Sequence, residues 1–267
     1  MKKILFLLIV LMNVSFSQTA KEYADSAFSK SQLRNYKGAI EDYNKAIEIN
    51  PNDTLSYYNR GDAKYKSRDY KGAIQDFDKV IELNPADVPA YNYRGTTKYL
   101  LGDFQDALQD YNQVIKLKPA SDLAYCNRGL AKNSLLDFAG AIKDFDKAIE
   151  LNPKDAISYN NRGIAKLHSD DIRGSIKDYS KAIELNPRYA AAYCNRGFAN
   201  DSLGNHWDAI TDYKQTIMLN PFYAEAYYLK GITKIKLGDK EGGCKDLSKA
   251  DEIGYDKAYD AINKYCK

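Results

Sequence analysis

The chain has 267 residues, 44% of them hydrophobic and 28% charged, a globular balance rather than a disordered one, with ample apolar surface to bury. Thirty-nine basic residues against 36 acidic give a formal charge of +3, and loss of Lys2 and Lys3 with a leader takes it to +1. A nearly neutral mature chain has no general attraction for nucleic acid or an anionic membrane.

In chain order, residues 1–17 read as a secretory leader: Lys2 and Lys3, an apolar run from Ile4 to Val14, then small Ser15 and Ser17 before Gln18. The run is shorter than the roughly 18 to 20 apolar residues of a spanning helix. The expectation is therefore a cleaved signal peptide, export to the periplasm or beyond the cell, and no integral membrane segment in the mature chain. No cysteine follows the run, so lipid attachment there is not indicated.

From residue 18 onward the chain is periodic. Pro51, Pro85, Pro119, Pro153, Pro187 and Pro221 recur every 34 residues, and Gly61, Gly95, Gly129, Gly163, Gly197 and Gly231 keep the same interval, as do the aromatics Tyr43, Phe77, Tyr111, Phe145, Tyr179 and Tyr213. A fixed period in this range marks a stacked-helix array. With the glycine at position eight, the repeats are 20–53, 54–87, 88–121, 122–155, 156–189, 190–223 and 224–257, and 258–267 form a cap. In the second repeat Tyr57, Gly61 and Ala63 fall at helical spacing, a break follows at 67–69, and Ala73, Ile74, Phe77, Val80 and Ile81 resume it. Asn84 and Pro85 stop that second helix, because a residue before proline is pushed out of the helical region. The prediction is an all-α chain: seven helix-turn-helix repeats forming one array over 18–267.

These residues resemble the tetratricopeptide repeat (TPR), an exported bacterial type given the leader. Tyr57 stands at the family's first aromatic, Gly61 and Ala73 at its small residues, Phe77 at its second aromatic and Pro85 at its terminator. Arg60 and its equivalents replace the leucine usual in the family. The first repeat has Ser26 and Ala27 instead of Arg-Gly, and in the seventh Gly254 and Tyr255 replace Asn-Pro, as end repeats can. The resemblance implies a right-handed superhelical solenoid with a concave groove lined by the first helix of each repeat.

Arg60, Arg94, Arg128, Arg162, Arg196 and Lys230 at position seven are in phase with Asp42, Asp76, Asp110, Asp144, Asp178, Asp212 and Asp246 at position 23. Pairing within a repeat would leave Asp42 facing Ser26. Pairing each acid with the next repeat joins Asp42 to Arg60, Asp110 to Arg128 and, at the cap, Asp246 to Lys264. The expectation is this inter-repeat ladder, serving register rather than stability.

Cys126 and Cys194 share position five two repeats apart, and helices packed about 8 to 10 Å apart put them beyond the roughly 7 Å limit for a bridge. They are expected as free thiols lining the groove. Cys244 and Cys266 lie on neighbouring helices at similar heights and can form a disulfide, although positions 21 and 23 point to different faces and leave two free thiols as the alternative. His168 and His206 have no metal-ligand spacing to a cysteine or carboxylate and read as packing residues. No phosphate loop or nucleophile elbow appears, so neither enzyme, cofactor nor metal site is expected. Trp207 occupies position 18, an exposed turn elsewhere; it either anchors a partner or lies over its own turn.

Positions 2, 5, 9 and 12 vary between repeats while sharing one helix stripe. By the resemblance that stripe faces the groove. Tyr58, Tyr65, Asn92 and Tyr99 line its early part, and Leu130, Ile164, Phe198 and Ile232 its apolar later part. Asn127, Asn161 and Asn195 at position six either bond a peptide backbone or satisfy neighbouring helices. Position five lacks lysine and position nine lacks asparagine, against the carboxylate clamp of some family members. The expected function is a non-enzymatic scaffold binding a protein or peptide segment in its groove. The alternatives are a structural subunit of an envelope or secretion assembly, and a small-molecule or glycan binder using the early tyrosines.

Overall fold

The computed structural model describes residues 19–267; the expected leader lies outside them. Among the described residues there are fifteen helices and no strand. The chain divides at Leu135/Leu136 into two compact units. The first holds α1 (19–32), α2 (Tyr36–Ile49), α3 (Thr54–Lys66), α4 (Tyr70–Leu83), α5 (Val88–Leu101), α6 (Phe104–Leu117) and α7 (Asp122–Ser134). The second holds α8 (Phe138–Leu151), α9 (Ala156–His168), α10 (Ile172–Leu185), α11 (Ala190–Ser202), α12 (His206–Leu219), α13 (Ala224–Lys236), α14 (Lys240–Glu252) and the cap α15 (Asp256–Tyr265). Within each unit consecutive helices pack on one another. No described helix is long and apolar enough to cross a membrane.

The turns explain the period. At the end of α4, Asn84 leaves the helix, its side-chain oxygen accepts from the Ala86 amide at 3.2 Å, and Asp87 then caps α5 by accepting from the Ala90 amide at 2.9 Å. Asn-Pro thus ends one helix while the acid two residues later starts the next, satisfying donors that a helix N-terminus leaves open. The turn inside each hairpin is capped differently: Asp69 accepts from the Gly72 amide at 3.0 Å, and a Cβ on Gly72 would come within 2.2 Å of that carboxylate. Asp137 with Gly140, Asp171 with Gly174 and Asp239 with Gly242 repeat the arrangement.

Hairpins close around position eight. A Cβ on Gly61 would meet the Phe77 ring at 2.9 Å and the Asp76 Cβ at 3.2 Å. Gly95 against Tyr111, Gly163 against Tyr179 and Gly197 against Tyr213 repeat the contact, and Tyr43, Phe77, Phe145, Tyr179 and Tyr213 are at most 1% exposed. Small residues at the flanking positions, such as Ala39, Ala63, Ala73 and Ala107, are wholly buried. They let the paired backbones approach.

That approach overturns the expected ion-pair ladder. Since position eight meets positions 23 and 24 of its own hairpin, the residue at position seven lies beside the acid of the same repeat. Arg60 donates through Nε and Nη2 to Asp76 at 3.0 and 2.6 Å, Arg162 to Asp178 at 2.9 and 2.6 Å, and Arg196 to Asp212 at 2.9 and 2.7 Å. Arg94 forks onto Asp110, and Lys230 reaches Asp246 at 3.0 Å. Ser26, at the equivalent place in the first repeat, donates to Asp42 at 2.6 Å. The link to the preceding repeat runs instead from Nη1 to position 25: Arg60 to Asn44, Arg94 to Asp78, Arg128 to Asn112, Arg162 to Asp146 and Arg196 to Ser180. Lys264 lies over the Tyr265 ring rather than on Asp246.

A second cation joins the clamp at position 11: Lys30, Lys64, Lys98, Lys166 and Lys234 place Nζ within 2.6 to 2.9 Å of the same aspartates. The tyrosine at position four lies under the guanidinium, as Tyr57 does under Arg60 at 5.3 Å and Tyr159 under Arg162 at 5.4 Å. Planar delocalised charge suits that stack, whereas leucine would leave the buried carboxylate without its fork. Burial works against the charged form of Arg162, and its hydrogen bonds to Asp178 and Asp146 outweigh this, so its pKa is raised.

Two stability predictions follow from these geometries. Arg68 is exposed in the left-handed region at φ 67°, where Gly102, Gly204 and Gly238 occupy the matching turns. Arg68→Gly should raise stability by about 0.5 kcal/mol in calorimetry, the relief of strain slightly exceeding the entropy lost by glycine. Arg162→Met removes the fork from nearly buried Asp178 and leaves it Lys166 alone, and should lower stability by about 3 kcal/mol in denaturant titration.

Candidate functional site

In the first unit α3, α5 and α7 pack side by side and present positions 2, 5, 9 and 12. Tyr58 and Tyr65 are brought together, both meeting Tyr93 edge-on, with ring centroids 5.7 and 6.0 Å away. Tyr58 also packs against Phe77 at 5.9 Å, and Tyr65 against Tyr70 at 5.8 Å. Burial, reinforced by Tyr93, pushes the Tyr58 hydroxyl upward, and burial with Tyr70 does the same at Tyr65. Tyr99 shares a 3.2 Å hydrogen bond with Ser134 on α7. Thr54, Leu55, Tyr58, Asp87 and Pro89 line an open cavity of about 380 Å³, with Leu55 66% exposed at its mouth. Asn92, Asn127 and Leu130 are half-buried on the same helices, and Asn92 Oδ1 has no hydrogen-bond partner among the described residues.

In the second unit α9, α11 and α13 make the equivalent face. Phe198 is 43% exposed and Ile157 53%, while Ile164 and Ile232 are half-buried beside them. The position-six asparagines do not reach outward as a set. Asn161 is buried, and Asn195 Nδ2 donates to Asn160 Oδ1 at 2.9 Å, joining α11 to α9. Asp201 interrupts the apolar row: Lys236 donates to its Oδ2 at 2.6 Å, and His206 Nδ1 lies 2.7 Å from its Oδ1. Burial raises the Asp201 carboxyl, but those two hydrogen bonds prevail and hold it below its ordinary range. His206 therefore clasps a carboxylate across its own hairpin turn, while His168 stacks on Phe138 at 5.0 Å.

Sequence reasoning missed Tyr93 and Asp201. Tyr93 stands where four repeats carry asparagine, and Asp201 is the single acid at position 12 among the internal repeats. Each departure marks its side chain as a local partner, but neither reveals which neighbour it meets.

The cysteines divide as structural groups. Cys244 and Cys266 are bonded, with Cα atoms 5.7 Å apart, tying α15 to α14. Cys194 lies in the core with Ala209, Tyr213 and Ala226, not on the groove face expected for it, and Cys126 is buried too. Burial pushes the Cys194 thiol up to about 12, leaving negligible thiolate at neutral pH. Among the described residues no group of His, Cys, Asp or Glu is arranged to hold a metal. Iodoacetamide treatment of the native protein at pH 7.5 followed by non-reducing peptide mapping should leave Cys194 unmodified and recover Cys244 linked to Cys266. Alkylation of Cys194 should require unfolding.

Family comparison matches most of the chain to one repeat class. The family described as TPR repeat matches residues 32–67, 95–133 and 170–204, and three described as Tetratricopeptide repeat match 55–87 and 123–155, 77–109 and 145–176, and 224–253. A comparison with curated proteins finds no match. Among solved structures, a tetratricopeptide repeat protein from Parabacteroides merdae is 22% identical with a TM-score of 0.76, over 93% of this chain and 97% of that one. MamA is 30% identical over 62% of this chain and 96% of that chain, with a TM-score of 0.55. YrrB, described as a TPR protein with an unusual peptide-binding site, is 22% identical over 70% and 97%, also at 0.55. The likenesses at 22% show the fold.

Proposed function

Because the chain belongs to the tetratricopeptide-repeat family, whose fold is typical of protein interaction, we propose that it is a non-enzymatic scaffold holding an apolar or amphipathic protein segment on its first-helix faces. The observation that carries this reading is the second unit's face, where Phe198 and Ile157 stay exposed although the hairpins that carry them are closed by the contacts of Gly197 with Tyr213 and Gly163 with Tyr179. A packed hairpin does not require them there, and exposed apolar side chains in a row favour a partner of like character. The open cavity beside Leu55 and Tyr58 offers the first unit a smaller apolar hold. The peptide-binding description of YrrB is compatible with this use of the fold.

The tyrosines Tyr58 and Tyr65 pack edge-on against Tyr93, which leaves them poorly placed as flat platforms for a sugar and favours the protein partner over a glycan. Export is part of the proposal. The apolar run from Ile4 to Val14 supports it, and so does the Cys244–Cys266 bridge, since such bonds persist in oxidising compartments.

The test uses the mature chain as bait for a library of amphipathic peptides, with binding read by fluorescence anisotropy. Phe198→Asp combined with Ile157→Asp should weaken the selected peptides at least tenfold while helical circular dichroism and the melting midpoint change little. Undiminished binding by that variant would move the site off the face.

A further inference from the structure

The sixth repeat departs from its siblings at one atom position. In the first, second, third, fifth and seventh repeats a lysine ammonium from position 11 sits within 2.6 to 2.9 Å of the Oδ2 of the position-23 aspartate. In the sixth, position 11 is Asn200, and among the described residues Asp212 Oδ2 accepts only from Arg196 Nε, at 2.9 Å. The missing ammonium leaves a cavity of about 250 Å³ between α10, α11 and α12, lined among others by Arg196, Asn200, Asp208, Thr211 and Asp212. Asn200 is 9% exposed, and its one side-chain hydrogen bond is a 3.5 Å contact from Asn205 to Oδ1. Two carboxylates face one guanidinium there, whereas Asp76, Asp110 and Asp178 each have both a guanidinium and an ammonium.

The helix beside this cavity is unusual in a second, independent way. Trp207, Thr211, Lys214 and Met218 follow one another on a single face of α12, and Phe222 stands in the next turn. Trp207 is 72% exposed, Met218 67% and Phe222 80%. The residue matching Met218 is Glu48, Glu82, Glu150, Glu184 or Glu252 in five sibling repeats and Lys116 in the other, so this position is charged elsewhere and apolar only here. Lone ammonium ions or free amines have no use for such a stripe.

We propose that this place binds a lysine side chain presented by an apolar segment of a partner protein. The partner's ammonium takes the position that the chain's own lysines occupy in the other hairpins, donating to Asp212 Oδ2 with Asp208 completing the charge balance. The apolar residues flanking that lysine lie on Trp207 and Met218. A primary ammonium with a long aliphatic stem fits the slot because five repeats of this same protein already seat one there, and arginine is disfavoured because Arg196 holds the adjoining guanidinium position. This site is separate from the first-helix faces, and a partner can use it whether or not they are occupied.

Trp207 is the only tryptophan of the chain, so its fluorescence reports the site directly. The full mature protein is titrated with acetyl-Leu-Lys-Leu-amide, with the norleucine counterpart of that peptide, and with n-butylammonium chloride at matched ionic strength. Expected are a saturable fluorescence change with the lysine peptide, binding at least tenfold weaker for the norleucine peptide, and weaker binding still for n-butylammonium. Asn200→Lys should fill the slot with the chain's own ammonium, keep or raise the melting midpoint, and weaken the lysine peptide at least tenfold. Asp208→Asn, at an exposed position, should weaken it severalfold. The proposal is overturned by the absence of a saturable response to the lysine peptide, by equal binding of the norleucine peptide, or by unchanged binding to Asn200→Lys. Unfolding of Asn200→Lys would equally show that the slot does not accept an ammonium, and n-butylammonium binding as tightly as the peptide would assign the site to free amines rather than a protein segment.

Discussion

The approach of a glycine on one helix to an aromatic ring on the next governs nearly everything else in this molecule. Gly61 against Phe77, with Gly95 against Tyr111, Gly163 against Tyr179 and Gly197 against Tyr213, bring two backbones so close that a methyl group would clash. Once that contact is made, position seven has no choice but to lie beside the aspartate of its own repeat, and the fork of Arg60 onto Asp76 follows. A nearly buried carboxylate needs such partners, since an isolated one would be costly to desolvate. The fork leaves one guanidinium nitrogen over, and it reaches back to position 25 of the preceding repeat, converting a contact within a hairpin into a link between hairpins. Tyrosine at position four covers the guanidinium, which accounts for many of the 23 tyrosines.

The hairpins were legible because each rests on local chemistry: Asn-Pro stops and apolar spacing at helical period, whereas the Asp and Asn caps emerged only with the structure. The pairing of Arg60 was not. Charges that recur every 34 residues are in phase with the acid of their own repeat and with that of the previous one alike, so periodicity alone cannot choose between Asp42 and Asp76. The choice is made by a distance across the hairpin. Similar limits apply to the faces. The stripe containing Phe198 and Ile157 was readable from variation among internal copies, but Asn195 turning to Asn160, and Cys194 turning into the core, depend on how far neighbouring helices are rotated. The tie between α14 and α15 was readable as a possibility because its two cysteines sit apart from the pair at position five.

Invariant and variable positions thus divide the labour along each hairpin. Gly, Ala, aromatic, Arg and Asp positions build the same packed unit repeatedly, and the remaining positions are free to differ because they bear little of that packing. Function is expected where the repeats disagree. On the first helices the disagreement yields an aromatic cluster around Tyr93 in one unit and an exposed apolar face interrupted by Asp201 in the other. In the sixth repeat it extends even to the clamp, where one lysine is exchanged for Asn200. Such an exchange is tolerable because Arg196 still forks onto Asp212, so the hairpin retains its main ion pair while acquiring a polar hollow.

The two ends of the chain differ in how they answer a mechanical load. At the C-terminal end the bond between Cys244 and Cys266 closes a loop with a sequence separation of 22, so tension applied there reaches α14 through covalent linkage before it can peel α15 away. At the other end α1 is held to α2 by Ser26, Lys30 and the packing of Ala27 and Tyr43, all of them non-covalent. Load applied at the cap therefore meets a covalent tie, whereas load applied at α1 meets only hydrogen bonds, an ion pair and packing, a difference between the two helices that the repeating sequence conceals.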